Sequence, residues 1–171
     1  MQTILQAEGV RDILNFTQHP IGRINDSFAF CHHGGWYECS MQTHALCVRQ
    51  MSPQDPWAMF DFVECNFGNL GVENADNNRD CVANTSLAYK DVFACATGYG
   101  PTTGPGMLLE SIELANSRDV HSAPTVFLNG VNVGHTLNLT QICDAYTGPK
   151  PKGCSAPPRA ARASPVGVCN A

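Results

Sequence analysis

Nine cysteines in 171 residues constrain the fold of this chain more than any other feature. In a reducing cytosol so many cysteines would indicate metal or redox sites, whereas in an oxidising compartment they indicate a framework of disulfide bonds. Only 15% of the residues are charged, so the folded state must draw its stability from burial and covalent links rather than from ion pairs. The disulfide candidates are Cys31, Cys39, Cys47, Cys65, Cys81, Cys95, Cys143, Cys154 and Cys169.

Four N-glycosylation sequons accompany the cysteines and indicate passage through a secretory lumen. They begin at Asn15, Asn25, Asn84 and Asn138. Residues 1–9 have no basic start, no long apolar stretch and no small-residue cleavage site, so they are not a signal peptide. Either export uses another route or the natural N-terminus lies upstream of Met1, and we expect the second.

Charge and hydropathy exclude several classes of partner. The formal net charge is −5, and no basic stripe is present that would hold a nucleic acid or an anionic membrane. No apolar run approaches the ~20 residues that span a bilayer. The sequence also indicates no cofactor and leaves the oligomeric state open.

The periodicity of apolar residues predicts a mixed α/β chain. An Asn129-Gly130 turn is the strongest local signal, because both central residues of a type I′ hairpin need positive φ. The other predictions are a helix end at residues 1–9, strands at 10–18 and 27–32, a turn at Pro20 and Gly22, helices at 36–51 and from Pro56 to Gly68, a polar connector at 74–79, a helix capped by Ser86 and ending near Gly98, a loop at 101–106 followed by a helix, a hairpin within 120–133, and a helix at 140–146.

The segment from Cys31 to Cys47 resembles the motif of the gamma-interferon-inducible lysosomal thiol reductases, C-Q-H-G-x2-E-C-x2-N-x4-C. This chain has His32 in place of Gln, one extra residue before Glu38, and Gln42 in place of Asn. The motif residues are Cys31, His33, Gly34, Glu38, Cys39, Gln42 and Cys47. The resemblance extends over about residues 10–169 through later cysteines, the Pro124 hairpin and the last helix.

The resemblance implies a disulfide-rich, thioredoxin-like α/β fold with a helical insertion. The resemblance also implies a lysosomal or secreted protein that reduces disulfide bonds of protein or peptide substrates. The composition in turn divides the chain into a domain at residues 1–148 and a Pro/Ala/Arg-rich tail at 149–171 without a period, which we expect to be extended and tethered by Cys154 and Cys169. In thioredoxin-like folds the proline before the hairpin faces the redox pair, so Pro124 and the backbone of Ala123 are candidate substrate contacts.

The family reduces disulfides with a C-x-x-C pair that follows the first strand, and none of the nine cysteines forms such a pair. We expect that the first strand, this pair and the export signal are missing together through one truncation, and that the 171 residues have no reductase activity of their own. The alternative is a redox-inactive, secreted peptide-binding or structural Cys-rich glycoprotein.

The motif residues have a structural interpretation and a functional one. We expect Cys31, Cys39 and Cys47 to form disulfides rather than to react, and His33 and Glu38 to orient the turn. Zinc ligation by Cys31, His32, His33, Cys39 and His44 is disfavoured, because the spacings differ from those of zinc knuckles. The sequence therefore predicts no metal site. Nine cysteines also leave at least one thiol over.

Overall fold

The computed structural model describes residues 2–26, 28–68 and 76–155. In chain order the elements are α1 (Gln2–Leu5), a 3₁₀ turn (Arg11–Ile13), β1 (Gly22–Asn25), β2 (Phe28–Cys31), α2 (Trp36–Met51), α3 (Ala58–Gly68), α4 (Asp76–Ala83), α5 (Tyr89–Thr97), α6 (Gly104–Ser117), β3 (Val126–Leu128), β4 (Val131–Gly134), α7 (Leu139–Ala145) and α8 (Lys152–Ser155). No helix of these ranges is long and apolar enough to cross a membrane.

The chain forms two compact units. One comprises Asn15–Ala123, which we call the helical unit, and the other comprises Met1–Leu14 with Pro124–Ala171, which we call the terminal unit. The predicted boundary at 148/149 is not one of the boundaries between these units, and the division into residues 1–148 and 149–171 stays a prediction.

Helix α2 is the central element of the helical unit. Its side chains from Thr43 to Val48 are all buried, and six consecutive residues cover more than one turn of 3.6 residues. The helix is therefore enclosed on every side along this stretch, by α3, α5 and α6. The predicted helix at 36–51 is confirmed with the same bounds, because its apolar stripe of Met41, Ala45 and Val48 lies in the core.

Disulfide bonds connect neighbouring elements in both units. The predicted disulfide-rich chain of mixed helix and strand is confirmed. The pairs are Cys31–Cys39 between β2 and α2, Cys47–Cys95 between α2 and α5, Cys65–Cys81 between α3 and α4, and Cys143–Cys154 between α7 and α8. Cys169 lies outside the described residues.

Strands β1 and β2 form an antiparallel hairpin with one buried and one exposed face. Ile24, Ala29 and Cys31 face the core, whereas Phe28 and Phe30 are exposed. The predicted strand at 27–32 is confirmed as Phe28–Cys31. The turn predicted at Pro20 and Gly22 is wrong, because Gly22 begins β1 and lies so close to the Phe30 carbonyl oxygen that a Cβ would collide with it.

The strand predicted at 10–18 is wrong. Residues 11–13 form the 3₁₀ turn, and the residues after it belong to no strand. Contacts with distant residues hold this segment instead. Phe16 stacks on Trp57 with ring centroids 5.0 Å apart, and Arg49 donates from Nη1 to the Gln18 carbonyl oxygen at 3.0 Å. Both partners are distant in sequence, so the apolar pattern alone could not reveal them.

The second hairpin, β3–β4, is confirmed. Asn129 and Gly130 have φ of 50° and 82°, as a type I′ turn requires. Each described strand pairs only with its hairpin neighbour, since β1–β2 and β3–β4 are separate two-stranded sheets. The coarser prediction of helix with sheet is therefore confirmed, whereas a thioredoxin-like arrangement of the strands stays a prediction.

Three further predictions differ from the structure in the helical unit. Residues 76–79 begin α4 rather than a connector, because the buried side chains of Asn77 and Asn78 hydrogen-bond to α2. Helix α5 begins after Ala88 without a side-chain cap, so Ser86 does not cap it. Helix α6 begins at Gly104, inside the loop predicted at 101–106.

The terminal unit consists of short elements. Asn138 and Gln141 form a reciprocal capping box that starts α7, close to the predicted helix at 140–146. The tail predicted to be extended contains α8, whose Gly153 N–H donates to the Glu8 carbonyl oxygen at 2.8 Å. The extended prediction is therefore wrong for Lys152–Ser155. The helix predicted to end at Gly9 is present as α1 but ends earlier, at Leu5, although Gly9 has the positive φ of 76° typical of a cap.

Candidate functional site

The turn between β2 and α2 carries the first half of the motif. Cys31 ends β2, and the backbone N–H of Gly34 donates to the Cys31 carbonyl oxygen at 3.1 Å. Gly34 and Gly35 have φ of 77° and 89°, a region that side chains with a Cβ rarely adopt. Two consecutive glycines thus reverse the chain and allow α2 to begin at Trp36. We call residues 31–42 the motif turn.

The carboxylate of Glu38 lies at the centre of the motif turn. It accepts the backbone N–H of His33 at 2.9 Å and the side-chain amide of Gln42 at 3.2 Å. The His33 ring nitrogen Nδ1 lies 3.4 Å from Oε1 of the same carboxylate. Glu38 is in the first turn of α2, where the partial positive charge of the helix N-terminus favours a carboxylate. One carboxylate therefore connects His33 and Gln42, two other residues of the motif.

A disulfide closes the motif turn covalently. Cys31 and Cys39 have Cα atoms 5.5 Å apart, and Cys31 is only 1% exposed. Cys47 lies about two turns further along α2 and pairs with Cys95. The structure therefore places Cys47 apart from the other motif residues. It brings together Cys31, His33, Gly34, Glu38, Cys39 and Gln42.

This arrangement limits the chemistry that the motif can perform. Thiol–disulfide exchange begins with attack by a thiolate. Within the described residues every cysteine is bonded to another cysteine, so none is available as a thiolate in this state. The motif turn can therefore hold the start of α2 in place, but it offers no nucleophile unless its disulfide is first reduced.

Buried polar side chains connect the start of α2 with α3 and α4. Asn77 donates from Nδ2 to the Tyr37 hydroxyl at 3.1 Å, and this hydroxyl donates to Asn66 Oδ1 at 3.5 Å. Asn78 donates from Nδ2 to Ser40 Oγ at 3.1 Å. All three asparagines are at most 4% exposed. Sequence reasoning missed these residues, because a polar run such as 76–80 has the composition of a connector.

His44 is a further buried polar residue that the sequence pattern did not reveal. Its ring nitrogen Nδ1 lies 2.7 Å from the Ser40 carbonyl oxygen, which assigns the proton to Nδ1. The ring also stacks on Tyr89 with centroids 6.0 Å apart. Burial lowers the pKa of His44, while the hydrogen bond to the Ser40 carbonyl acts in the opposite direction. The ring is therefore neutral at neutral pH and packs as part of the core.

The candidate substrate contacts lie elsewhere in the chain. Ala123 ends the helical unit, Pro124 begins the terminal unit, and both residues are exposed. The carbonyl oxygen of Pro124 lies 2.6 Å from Nδ1 of His135, which follows β4 and so links the two ends of the β3–β4 hairpin. This contact fixes the backbone where the resemblance predicts a substrate would meet it.

The four sequon asparagines are all exposed but differ in surroundings. Asn84 donates from Nδ2 to the Cys65 sulfur at 3.5 Å, and Asn138 caps α7. Asn15 precedes Phe16, whose ring stacks on Trp57. Asn25 ends β1, directly opposite Phe28 of β2.

No group of three or more histidine, cysteine or acidic side chains within the described ranges could hold a metal ion. A cleft of about 460 Å³ lies at the end of α2, where Asp55, Asp61 and Asn84 are among its lining residues. No residue of the motif lines this cleft. The cleft and the motif turn are therefore separate features.

The comparisons with known proteins place the relationship in the first half of the chain. The family model of gamma interferon inducible lysosomal thiol reductase (GILT) matches residues 1–85. This range contains the complete motif from Cys31 to Cys47 and confirms the predicted relationship. No curated protein and no solved structure matches the chain.

Proposed function

We propose that this chain, a member of the gamma interferon inducible lysosomal thiol reductase family through its residues 1–85, belongs to a system that reduces disulfide bonds of proteins in the secretory or lysosomal lumen. In this proposal the 171 residues supply the scaffold and the substrate contact, whereas the reacting thiol pair is not among them. The thioredoxin-like fold is part of the same proposal, supported by the β3–β4 hairpin that follows Pro124 and precedes α7.

The observation that carries the proposal is the state of the motif cysteines. Cys31 is buried and bonded to Cys39, and the Glu38 carboxylate holds the surrounding turn by hydrogen bonds. A catalytic thiol needs access to substrate and a thiolate form. Cys31 is closed to substrate, and every described cysteine is bonded to another cysteine, so none is a thiolate in this state. A structural role for the motif is the interpretation that these contacts favour.

Disulfide-reductase turnover at acidic pH tests this proposal. The purified chain should give the rate of a blank without protein, on a protein substrate with a single accessible disulfide. The control is the double variant Cys31→Ser/Cys39→Ser, which should give the same rate. Turnover by the wild-type chain that disappears in the double variant would show that the motif is a redox centre and would refute the proposal.

A second candidate is a redox-inactive, peptide-binding glycoprotein, favoured by the exposure of Ala123 and Pro124. Peptide binding without turnover is expected under both candidates. They are separated by a transfer experiment, in which a reduced C-x-x-C thiol reductase is supplied together with the chain. Under the first candidate the chain accelerates reduction by that partner, and Pro124→Ala removes the acceleration. Under the second candidate the rate does not change.

A further inference from the structure

The exposed face of the β1–β2 hairpin combines a sequon with aromatic side chains. The register pairs Asn25 with Phe28 and Arg23 with Phe30. Phe28 and Phe30 are 70% and 44% exposed, which is high for phenylalanine on a strand. Side chains directly opposite each other in an antiparallel pair share one face, with Cβ atoms ~4.5–5.5 Å apart. Phe28 therefore lies beside Asn25 at the end of the hairpin.

The opposite face of the same hairpin is already occupied. Ile24, Ala29 and Cys31 pack against the core of the helical unit. The alternation of side chains consequently fixes Phe28 and Phe30 on the outside, and no rotation of the hairpin can bury them without exposing the core residues. Their exposure follows from the register, and it leaves both rings accessible to a ligand on the outer face.

We propose that Asn25 carries an N-linked glycan whose innermost N-acetylglucosamine packs on the ring of Phe28. The sequon Asn25-Asp26-Ser27 supplies the acceptor, and Asp26 turns the chain with a φ of 47°. A sugar ring presents C–H groups on one side, and these bind the electron-rich face of an aromatic ring. The inference requires passage through the secretory lumen but does not depend on the proposed reductase function.

The transfer step is that of ordinary N-glycosylation. The Asn25 Nδ2 atom forms a bond to C1 of the sugar at the reducing end of a lipid-linked pyrophosphoryl oligosaccharide. The bond between C1 and the phosphate oxygen breaks, the lipid pyrophosphate leaves with the electron pair, and Nδ2 loses one proton to a base. The chain supplies only the acceptor amide and the surface on which the product rests.

The chemistry of the face favours a glycan over a second copy of the chain. Two phenylalanine side chains contribute at most about 500 Å², whereas a stable protein interface buries about 800 Å² on each partner. The neighbours on this face are Arg23 and Asn25, whose polar groups suit a hydroxylated ligand. Among the sequon asparagines, Asn25 is paired across a strand with an exposed aromatic residue, whereas Asn84 and Asn138 interact with a sulfur and a helix end.

The first experiment measures occupancy. The full chain is secreted from cultured animal cells behind an added cleavable leader, and the peptide containing Asn25 is analysed by mass spectrometry after enzymatic deglycosylation. We expect most molecules to show the conversion of Asn25 to aspartate that deglycosylation leaves. An unmodified Asn25 in the secreted chain would overturn the proposal.

The second experiment measures the contact. In the glycosylated chain, the N-acetyl methyl protons of the innermost sugar should show an upfield ring-current shift in NMR spectra. Phe28→Ala should abolish this shift. Phe67→Ala should leave it unchanged, because Phe67 is similarly exposed, at 54%, but lies on α3. A shift that is absent in the wild type, or that survives in Phe28→Ala, would overturn the proposal.

The third experiment measures the consequence for stability. Removing the sequon with Asn25→Gln should lower the Tm by about 2–4 °C in the wild-type background. It should have no effect in the Phe28→Ala background, because the sugar then has no ring to cover. Equal losses in both backgrounds would contradict the proposal. Dimerisation of Asn25→Gln that is detected by light scattering and is absent with Phe28→Ala would instead assign the face to a second copy.

Discussion

Different interactions stabilise the interior of the helical unit and that of the terminal unit. The helical unit encloses α2 between α3, α5 and α6, and three disulfides connect its elements. In its described residues the terminal unit contains short elements joined by one disulfide, a capping box and contacts from Glu8 to α8. The described part of this unit is therefore stabilised by a few contacts, some of them between distant parts of the sequence, and by one covalent link.

The comparison explains where sequence reasoning succeeded. The β3–β4 hairpin follows from two adjacent residues, Asn129 and Gly130, and the structure contains it. The sequence predicts helix α2 with its observed bounds, because its apolar period and the absence of proline and glycine from residues 36–51 are both local signals. In either unit, an element could be predicted when residues close to each other in the sequence specify it.

Elements that depend on distant partners could not be predicted in the same way. The segment predicted as a strand at 10–18 contributes Phe16 to a stack with Trp57 instead. Helix α4 is anchored by Asn77 and Asn78 to side chains of α2 that lie about forty residues earlier. The members of the motif turn could be predicted, but the hydrogen bond from the His33 backbone to Glu38 could not, because it depends on the conformation of the turn at Gly34 and Gly35.

The largest expected effect comes from removing the disulfide between α2 and α5. Cys47 and Cys95 are 48 residues apart, and a loop of this length gives a chain-entropy contribution of about 4 kcal/mol. Cys47→Ala/Cys95→Ala should lower the free energy of unfolding by about that amount or more, because Cys47 is also fully buried. Denaturant unfolding measures the change, and a loss below about 1 kcal/mol would contradict a helical unit held by this link.

A smaller and more local effect is expected in the terminal unit. The Cys143–Cys154 loop spans 11 residues, which corresponds to about 3 kcal/mol. Cys143→Ala/Cys154→Ala should remove hydrogen-exchange protection from α7 and α8 while α2 keeps its protection. Loss of protection in both units at once would show that they unfold together. That result would contradict the claim that the two units are stabilised separately.

The motif turn gives a third test of the helical unit. Glu38→Ala removes the acceptor for His33 and Gln42 and should lower the free energy of unfolding by about 1–3 kcal/mol. Glu38→Gln is the matched control, because it retains one acceptor oxygen and should lose about half as much. Thermal unfolding of the two variants measures the difference. A Glu38→Ala variant as stable as the wild type would mean that the carboxylate contacts contribute nothing to stability.

The smallest effect concerns the dependence of stability on pH. Burial lowers the folded-state pKa of His44 below its unfolded value, so the unfolded chain binds the proton more readily. The contribution to stability is complete above about pH 6.5 and is lost as the pH falls from there toward the folded-state pKa. His44→Phe should reduce the slope of unfolding free energy against pH in this range.

His19 provides the control for the pH experiment. Its pKa is also lowered, by desolvation and by the charges of Arg49 and Arg118, so its contribution has the same sign. The His19→Gln variant should retain the part of the slope that His44 causes. If His19→Gln removes the whole slope and His44→Phe removes none, the assignment of a neutral, buried His44 is wrong.

The reduction potential of the Cys31–Cys39 disulfide tests most directly whether the motif is structural. The chain is equilibrated in thiol buffers of graded potential, the free cysteines are alkylated, and the Cys31 and Cys39 peptides are quantified by mass spectrometry. Because Cys31 is buried and the turn is held by Glu38, we predict a potential below about −300 mV, as for structural disulfides. A value between about −270 and −120 mV, the range of thiol–disulfide oxidoreductases, would show that the motif turn is a redox centre.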